Sequence, residues 1–254
     1  PPPPPPPPPP LFFFNAEAGL RDCLLSRGLG DVYKRQTLFG KASMGLEYFL
    51  FKTGPLTMPP SQLGAFAKSD PQQKTANIEW HVQPLSLEKF GDPLHTFNAI
   101  TPSVCNLRPT SRGSVQIKSS DPKDYPAIRL NYLSTIADEK VAVEGLRLTR
   151  KIMSAKALQE FNPQEWKPGL EIQSEEQLLE SARDLGTTIF HPVGTCKMGN
   201  DKDSVVDNQL RVYGIENLRV VDASIMPELV SGNTNAPTMM IAEKAAQMIL
   251  SDVN

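Results

Sequence analysis

Between Ile78 and Tyr132 four short runs read as strands, and no helical stretch lies among them. This constrains the fold more than any other feature. The first is the clearest: Ile78, Trp80 and Val82 alternate with Glu79, His81 and Gln83, the period of two that a half-buried strand requires. That alternation places His81 on the polar face. Ala99–Leu107, Ser114–Lys118 and Ala127–Tyr132 read the same way, separated by turn-forming Pro, Gly, Ser and Asp residues. Strands that follow one another without crossover helices predict a largely antiparallel sheet.

Helical periodicity flanks these strands. A short helix is predicted over Gly45–Phe51, stopped by Thr53–Gly54–Pro55. Thr135 and Asp138 stand in capping-box spacing ahead of Ala142, Leu146, Thr149 and Met153 on one face, with Lys140, Glu144, Arg147 and Lys151 on the solvated other. Ser174 and Gln177 repeat the capping-box spacing, and Gly186 closes that helix. Leu210–Tyr213 and Leu218–Val221 read as strands around Gly214. Pro237–Leu250 reads as a helix with proline in its first turn.

Composition excludes several classes of partner. A formal charge of −2 and a pI near 6.0 leave no basic field for nucleic acid. No apolar run approaches the roughly 20 residues that span a bilayer. Cys23, Cys105 and Cys196 form no CxxC pair, so neither a metal site nor a disulfide framework is expected. Pro1–Pro10 followed by Leu11 and three phenylalanines has the character of translated homopolymeric DNA, and Cys23–Gln36 resembles translated sequencing-adapter sequence. Residues 1–36 are therefore expected to be an artefact without structure. The rival reading of that head is a polyproline ligand for SH3 or WW domains, which would make the chain an interaction module.

The chemistry-bearing strings lie in the last quarter. They are Phe190–His191–Pro192–Val193–Gly194–Thr195–Cys196–Lys197–Met198–Gly199, Val205–Val206–Asp207, Leu218–Arg219–Val220–Val221–Asp222–Ala223–Ser224, and Ser231–Gly232–Asn233–Thr234–Asn235–Ala236–Pro237–Thr238. In order and spacing they resemble the C-terminal signature of the glucose–methanol–choline (GMC) oxidoreductases. Gly54–Pro55–Leu56, Phe97–Arg112 and Asn131–Ser134 look like its dehydrogenase branch. The likeness covers nearly all of Thr37–Asn254.

The resemblance implies an FAD-dependent oxidation of a primary alcohol to an aldehyde by hydride transfer, with His191 as the base that accepts the hydroxyl proton. It assigns the second active-site position to Asn235, whose amide would orient the substrate oxygen, with Asn233 as an alternative. A capping role for Asn235 is compatible with this. Ala236 and Pro237 would lie against the isoalloxazine ring, at a helix start whose N–H groups favour the negative edge of the reduced flavin. Asp222 and Ala223 would contact the cofactor near its ribityl and pyrophosphate part. His81 is a substrate-pocket candidate. No metal is implied.

On the same basis the expected fold class is α+β. Residues 37–200 would form an antiparallel-sheet substrate domain with flanking helices. Residues 201–254 would be the returning segment of an FAD-binding α/β domain. The glycine-rich GxGxxG turn of such a domain does not occur in the chain, so its N-terminal half is expected to lie outside it and the fragment to be inactive alone. No acidic residue stands near Pro60–Ala65, where choline-oxidising relatives bind the substrate ammonium, so choline is disfavoured. The partners implied are a small alcohol and an electron acceptor, a quinone or another. Oxygen, as in an oxidase of the same family, is the alternative. The expected compartment is the cytoplasm, with peripheral membrane association left open. A hydrolase built on His191 and a serine is the rival enzyme class, but it lacks a GxSxG elbow.

Overall fold

The computed structural model describes residues 38–253 apart from 58–60, 62, 84, 89–91, 96 and 98. The proline head and the adapter-like stretch lie outside the described residues. The elements in chain order are α1 (Leu38–Phe51), β1 (Leu63–Ala67), β2 (Ile78–Gln83), β3 (Thr101–Asn106), β4 (Ser114–Gln116), β5 (Ala127–Arg129), α2 (Ile136–Met153), α3 (Glu175–Leu185) and α4 (Asn235–Val253). Short 3-10 turns occupy Pro55–Thr57, Lys156–Phe161 and Ala223–Ile225. The fold class is α+β, as expected. Among the described residues no helix is long and apolar enough to cross a membrane.

The strands form two sheets and not one. β1, β2 and β3 make a three-stranded sheet in that order, and β4 pairs antiparallel with β5, Val115 opposite Ile128. Asn77 N–H donates to Ala67 O and Leu107 N–H to Asn77 O, so the start of β2 meets the ends of both neighbours. The larger sheet is therefore antiparallel too. β1 was not foreseen: its Leu–Gly–Ala–Phe–Ala sequence is poor in β-branched residues, and pairing with β2 supplies what propensity does not.

On β2, Ile78 and Trp80 are buried as the alternation predicts, and the Trp80 indole donates to Thr149 Oγ1 at 2.7 Å. Glu79, however, is only 4% exposed, and His81 is half-buried. The face expected to be solvated is thus covered. A central strand between two neighbours presents both faces for packing, and a polar side chain can be enclosed there when it is partnered.

Contacts divide the chain into two compact units. Among the described residues, one comprises those from 38 to 65 with 80–103 and 149–164, and the other comprises 66–79, 104–148 and 165–253. In the second unit α2 crosses β3 closely: a Cβ placed on Gly145 would lie 3.1 Å from Val104 Cγ2. The start of α2 departs from a full capping box. Asp138 N–H reaches Thr135 Oγ1 at 3.3 Å, but the Asp138 carboxylate turns to the loop after β3. There it accepts the backbone N–H groups of Thr110 and Ser111 at 2.9 and 2.8 Å and the Asn106 amide at 3.2 Å. Asp138 is 3% exposed. Burial alone would push its carboxyl up; the hydrogen bonds from Ser111 and Thr110 outweigh it and hold the group below the usual carboxylate range.

α3 opens with the complete capping box predicted from Ser174 and Gln177, and Gly186 closes it in an extended conformation, not a left-handed one. Beyond it the expected strands at 210–213 and 218–221 do not form. Only single bridges remain, Val206 with Val212 and Arg211 with Arg219. Leu210, Gly214 and Asn217 all have positive φ, and each turns the chain before a ladder can extend. This segment packs as a core instead: Val206, Leu210, Ile225 and Met226 are buried with Ile241 and Ala245 of α4. Each large side chain buried there contributes roughly 1.5–3 kcal/mol. Ile241 and Ala245 are four apart on one helical face, which seats α4 on the core and fixes where its N-terminus points.

Candidate functional site

Two irregular segments of the second unit converge. The first carries His191. It begins with Phe190 at φ 64°, a left-handed conformation that a bulky residue adopts only under constraint, with the Phe190 N–H donating to Thr188 Oγ1 at 3.0 Å. Gly194 follows at φ 84°, where a Cβ would press on Met226 O at 3.1 Å. The spacing of the His–Pro–Val–Gly string thus reflects a turn that only glycine closes easily. Cys196 N–H then donates to Ser224 O at 2.9 Å and Met198 N–H to Ile225 O at 2.8 Å, which ties this segment to the 3-10 turn after Asp222.

The second segment leads into α4. Ser231 is also left-handed, at φ 61°, and Thr234 O accepts the first helical bonds, from Thr238 N–H at 3.0 Å and the Thr238 hydroxyl at 2.7 Å. Thr234 is therefore the cap residue. The helix starts at Asn235, two residues earlier than predicted, and Pro237 occupies its first turn, where a missing N–H costs no helical bond.

His191 bridges the two segments. Its Nδ1 lies 2.8 Å from Thr234 Oγ1 and its Nε2 lies 3.2 Å from Asn233 Nδ2. An amide NH₂ donates, so Nε2 presents its lone pair and Nδ1 carries the proton, which the Thr234 oxygen accepts. Thr234 is 8% exposed, while the Asn233 contact lies on the exposed side. The ring is thus anchored inward by Nδ1 and offers Nε2 outward as a proton acceptor.

The expected site residues distribute as follows. His191 is half-buried, and beside it Asn235 and Ala236 are exposed and Pro237 half-buried in the first turn of α4. The amide that meets the imidazole belongs to Asn233, not Asn235. Asp222 caps the 3-10 turn: its Oδ1 accepts the Ser224 N–H at 2.8 Å and the Ser224 hydroxyl, and Ala223 is half-buried behind it. Because Ser224 O holds Cys196, the Asp222 turn and the His191 segment are one connected piece. His81 belongs to β2 and to the other unit. Thr234 was missed by sequence reasoning, although a threonine just before a helix is a standard cap signal.

The C-terminal sequence model of the GMC oxidoreductases matches residues 109–242. An alcohol dehydrogenase (acceptor) of Pseudomonas putida is 42% identical over 212 residues, which cover 83% of this chain and 38% of the relative. An oxygen-dependent choline dehydrogenase of Pseudomonas fluorescens is 39% identical over 218 residues, covering 86% of this chain and 38% of the relative. Among solved structures, pyridoxine 4-oxidase from Mesorbium loti superposes with a TM-score of 0.68 at 31% identity, over 74% of this chain and 37% of that one. The chain spans about two fifths of the length of the curated relatives it matches.

Proposed function

This chain belongs to the GMC oxidoreductase family, and we propose that the protein carrying it oxidises a primary alcohol to an aldehyde with FAD, His191 Nε2 acting as the base. The observation that carries the reading is the double anchoring of the imidazole, Nδ1 to buried Thr234 and Nε2 facing outward beside Asn233.

The residues present fit a flavin. The first turn of α4 brings free-ended backbone N–H groups and the positive end of a helix dipole next to His191, a setting that favours an anionic ring edge. Bound FAD supplies the hydride acceptor. Asn235, Ala236 and Pro237 are proposed to face its ring, and Asp222 with Ala223 to contact its ribityl and pyrophosphate part. Residues 201–254 would then be the flavin-domain segment and residues 37–200 the substrate domain, to which the pocket candidate His81 belongs. A glycine-rich turn outside these 254 residues would complete the cofactor site.

The proton path uses this chain's own groups. His191 Nε2 takes the hydroxyl proton as the alcohol is oxidised, while Nδ1–H stays on the Thr234 oxygen and stabilises the resulting imidazolium. An amide beside Nε2 holds the substrate oxygen in line with that lone pair. The contact with His191 favours Asn233 for this role, with Asn235 the residue first expected to fill it. The names of the relatives support both a dehydrogenase with a separate acceptor, such as a quinone, and an oxygen-using enzyme.

The test is His191→Ala in the flavin-loaded protein, followed by anaerobic stopped-flow. Loss of the base should slow flavin reduction by ~10²–10⁴ with flavin content retained. Reduction by alcohol at the parental rate would refute the assignment.

A further inference from the structure

We infer that Arg108 is a positioning residue for the His191 site, acting through Ser231 on the short loop that carries Asn233 and Thr234. The inference rests on the reading of His191 as the base. Arg108 Nε donates to Ser231 Oγ at 2.9 Å, across 123 residues of sequence. Ser231 is two residues before Asn233 and three before Thr234, the two side chains that hold the imidazole.

The loop needs such a hold. Ser231 sits at φ 61°, a conformation that serine leaves readily for negative φ unless something fixes it. Gly232 follows, and a Cβ built there would meet nothing within 4 Å, so no side chain of its own restrains the backbone at that point. Rotation at Ser231 would carry Asn233 and Thr234 away from the ring together.

The post that provides the hold is itself rigid. Arg108 N–H donates to Asn106 Oδ1 at 2.9 Å, and the Asn106 amide donates at 3.2 Å to the buried Asp138 carboxylate, which also gathers the N–H groups of Thr110 and Ser111. The loop after β3 is thereby fastened to the first turn of α2. A guanidinium presented from it offers a donor of fixed direction. Among the described residues Arg108 reaches Ser231 and Asn106 and not the imidazole, so its effect is on the geometry of the site and not on the proton itself.

The test is a double-mutant cycle of Arg108→Ala and Ser231→Ala in the flavin-loaded protein, read by kcat and by the ring ¹⁵N shifts of His191. Each single variant should lower kcat on the order of 10-fold, the weight of a charge-assisted hydrogen bond. Each should also turn the single Nδ1–H tautomer into a mixture. The double variant should be no worse than either single one. Arg108→Lys, which keeps a donor, and Ser231→Asn, which keeps an acceptor and tolerates positive φ, should recover part of the loss even if an alanine variant does not fold. Additive losses, or an unchanged His191 spectrum in the Arg108 variants, would overturn the inference. His191→Ala run alongside separates the two readings: if it is slow while the Arg108 and Ser231 variants leave the ring unchanged, only the positioning role fails. If it reduces flavin at the parental rate, the base assignment fails, and the positioning role with it.

Discussion

His191 and Thr234, 43 residues apart, meet through Nδ1 and Oγ1 at 2.8 Å, so the residue that caps the terminal helix also anchors the inner edge of the histidine ring. Thr234→Val keeps the shape and removes the oxygen that accepts the Nδ1 proton. The Nδ1–H is then left without its acceptor, and the ring loses the anchor that turns Nε2 outward. The rate of flavin reduction should fall by about 10-fold or more, while Thr234→Ser stays close to parental. Equal rates for the valine and serine variants would show that the hydroxyl does not matter.

Asp138 makes stability depend on acid. Its folded-state carboxyl lies below the usual range, so the contribution is complete above the unfolded value of about 3.9 and is lost as pH falls through the folded value beneath it. Asp138→Asn should therefore destabilise the protein by roughly 1.5–3 kcal/mol at pH 7, because charged hydrogen bonds to Thr110 and Ser111 become neutral ones. The gap in Tm between parent and variant should narrow as pH drops below about 3.9 and close once the pH lies below the folded value. A gap that persists there would contradict this account.

At the other end of α4, Arg211 and Arg219 both donate to Asp252, the former at 2.8 Å. These hydrogen bonds, Arg219's first, hold the carboxyl below the usual range. Asp252 and Arg211 are exposed and Arg219 is half-buried, so the effect is modest and partly screened. Asp252→Asn should lower Tm slightly in dilute buffer, with the difference vanishing in concentrated salt. Thermal melts in the two buffers decide it.

Substrate charge gives a further test. In sequence, positions 60–65, where the family resemblance implies a substrate ammonium would bind, carry no Asp or Glu, and an unpartnered buried cation would cost several kcal/mol. The uncharged isostere 3,3-dimethylbutanol should show a higher kcat/KM than choline. The reverse order would reject the preference for neutral alcohols.

Much of this was legible in the sequence where a local rule decides the outcome. Ser174 and Gln177 specify their capping box within four residues, and the structure forms it. Ile78 and Trp80 announce their burial by alternation. What escaped depends on partners distant in the chain. β1 exists because β2 pairs with it, and Glu79 is covered although its neighbours in sequence predict a wet face. The apolar runs at 210–221 read as strands because periodicity does not reveal the left-handed turns at Leu210 and Asn217. At the site, counting along the motif led to Asn235 with Asn233 as the alternative, and the turn at Ser231 places Asn233 beside the imidazole. Thr234 needed the knowledge of where the helix begins.

The left-handed backbone at Phe190 and Ser231 has an implication for how such a protein can be hardened against heat. Each conformation is disfavoured for its residue by about 1–2 kcal/mol, and one residue adjoins His191 while the other shortly precedes Asn233. Glycine at either position would relieve that strain directly, so selection for thermal tolerance alone has an easy route through both. The same substitutions would loosen the turns that present the two side chains to each other. Screens that reward survival at high temperature without also scoring turnover would thus be drawn towards sturdier but slower variants at these two positions.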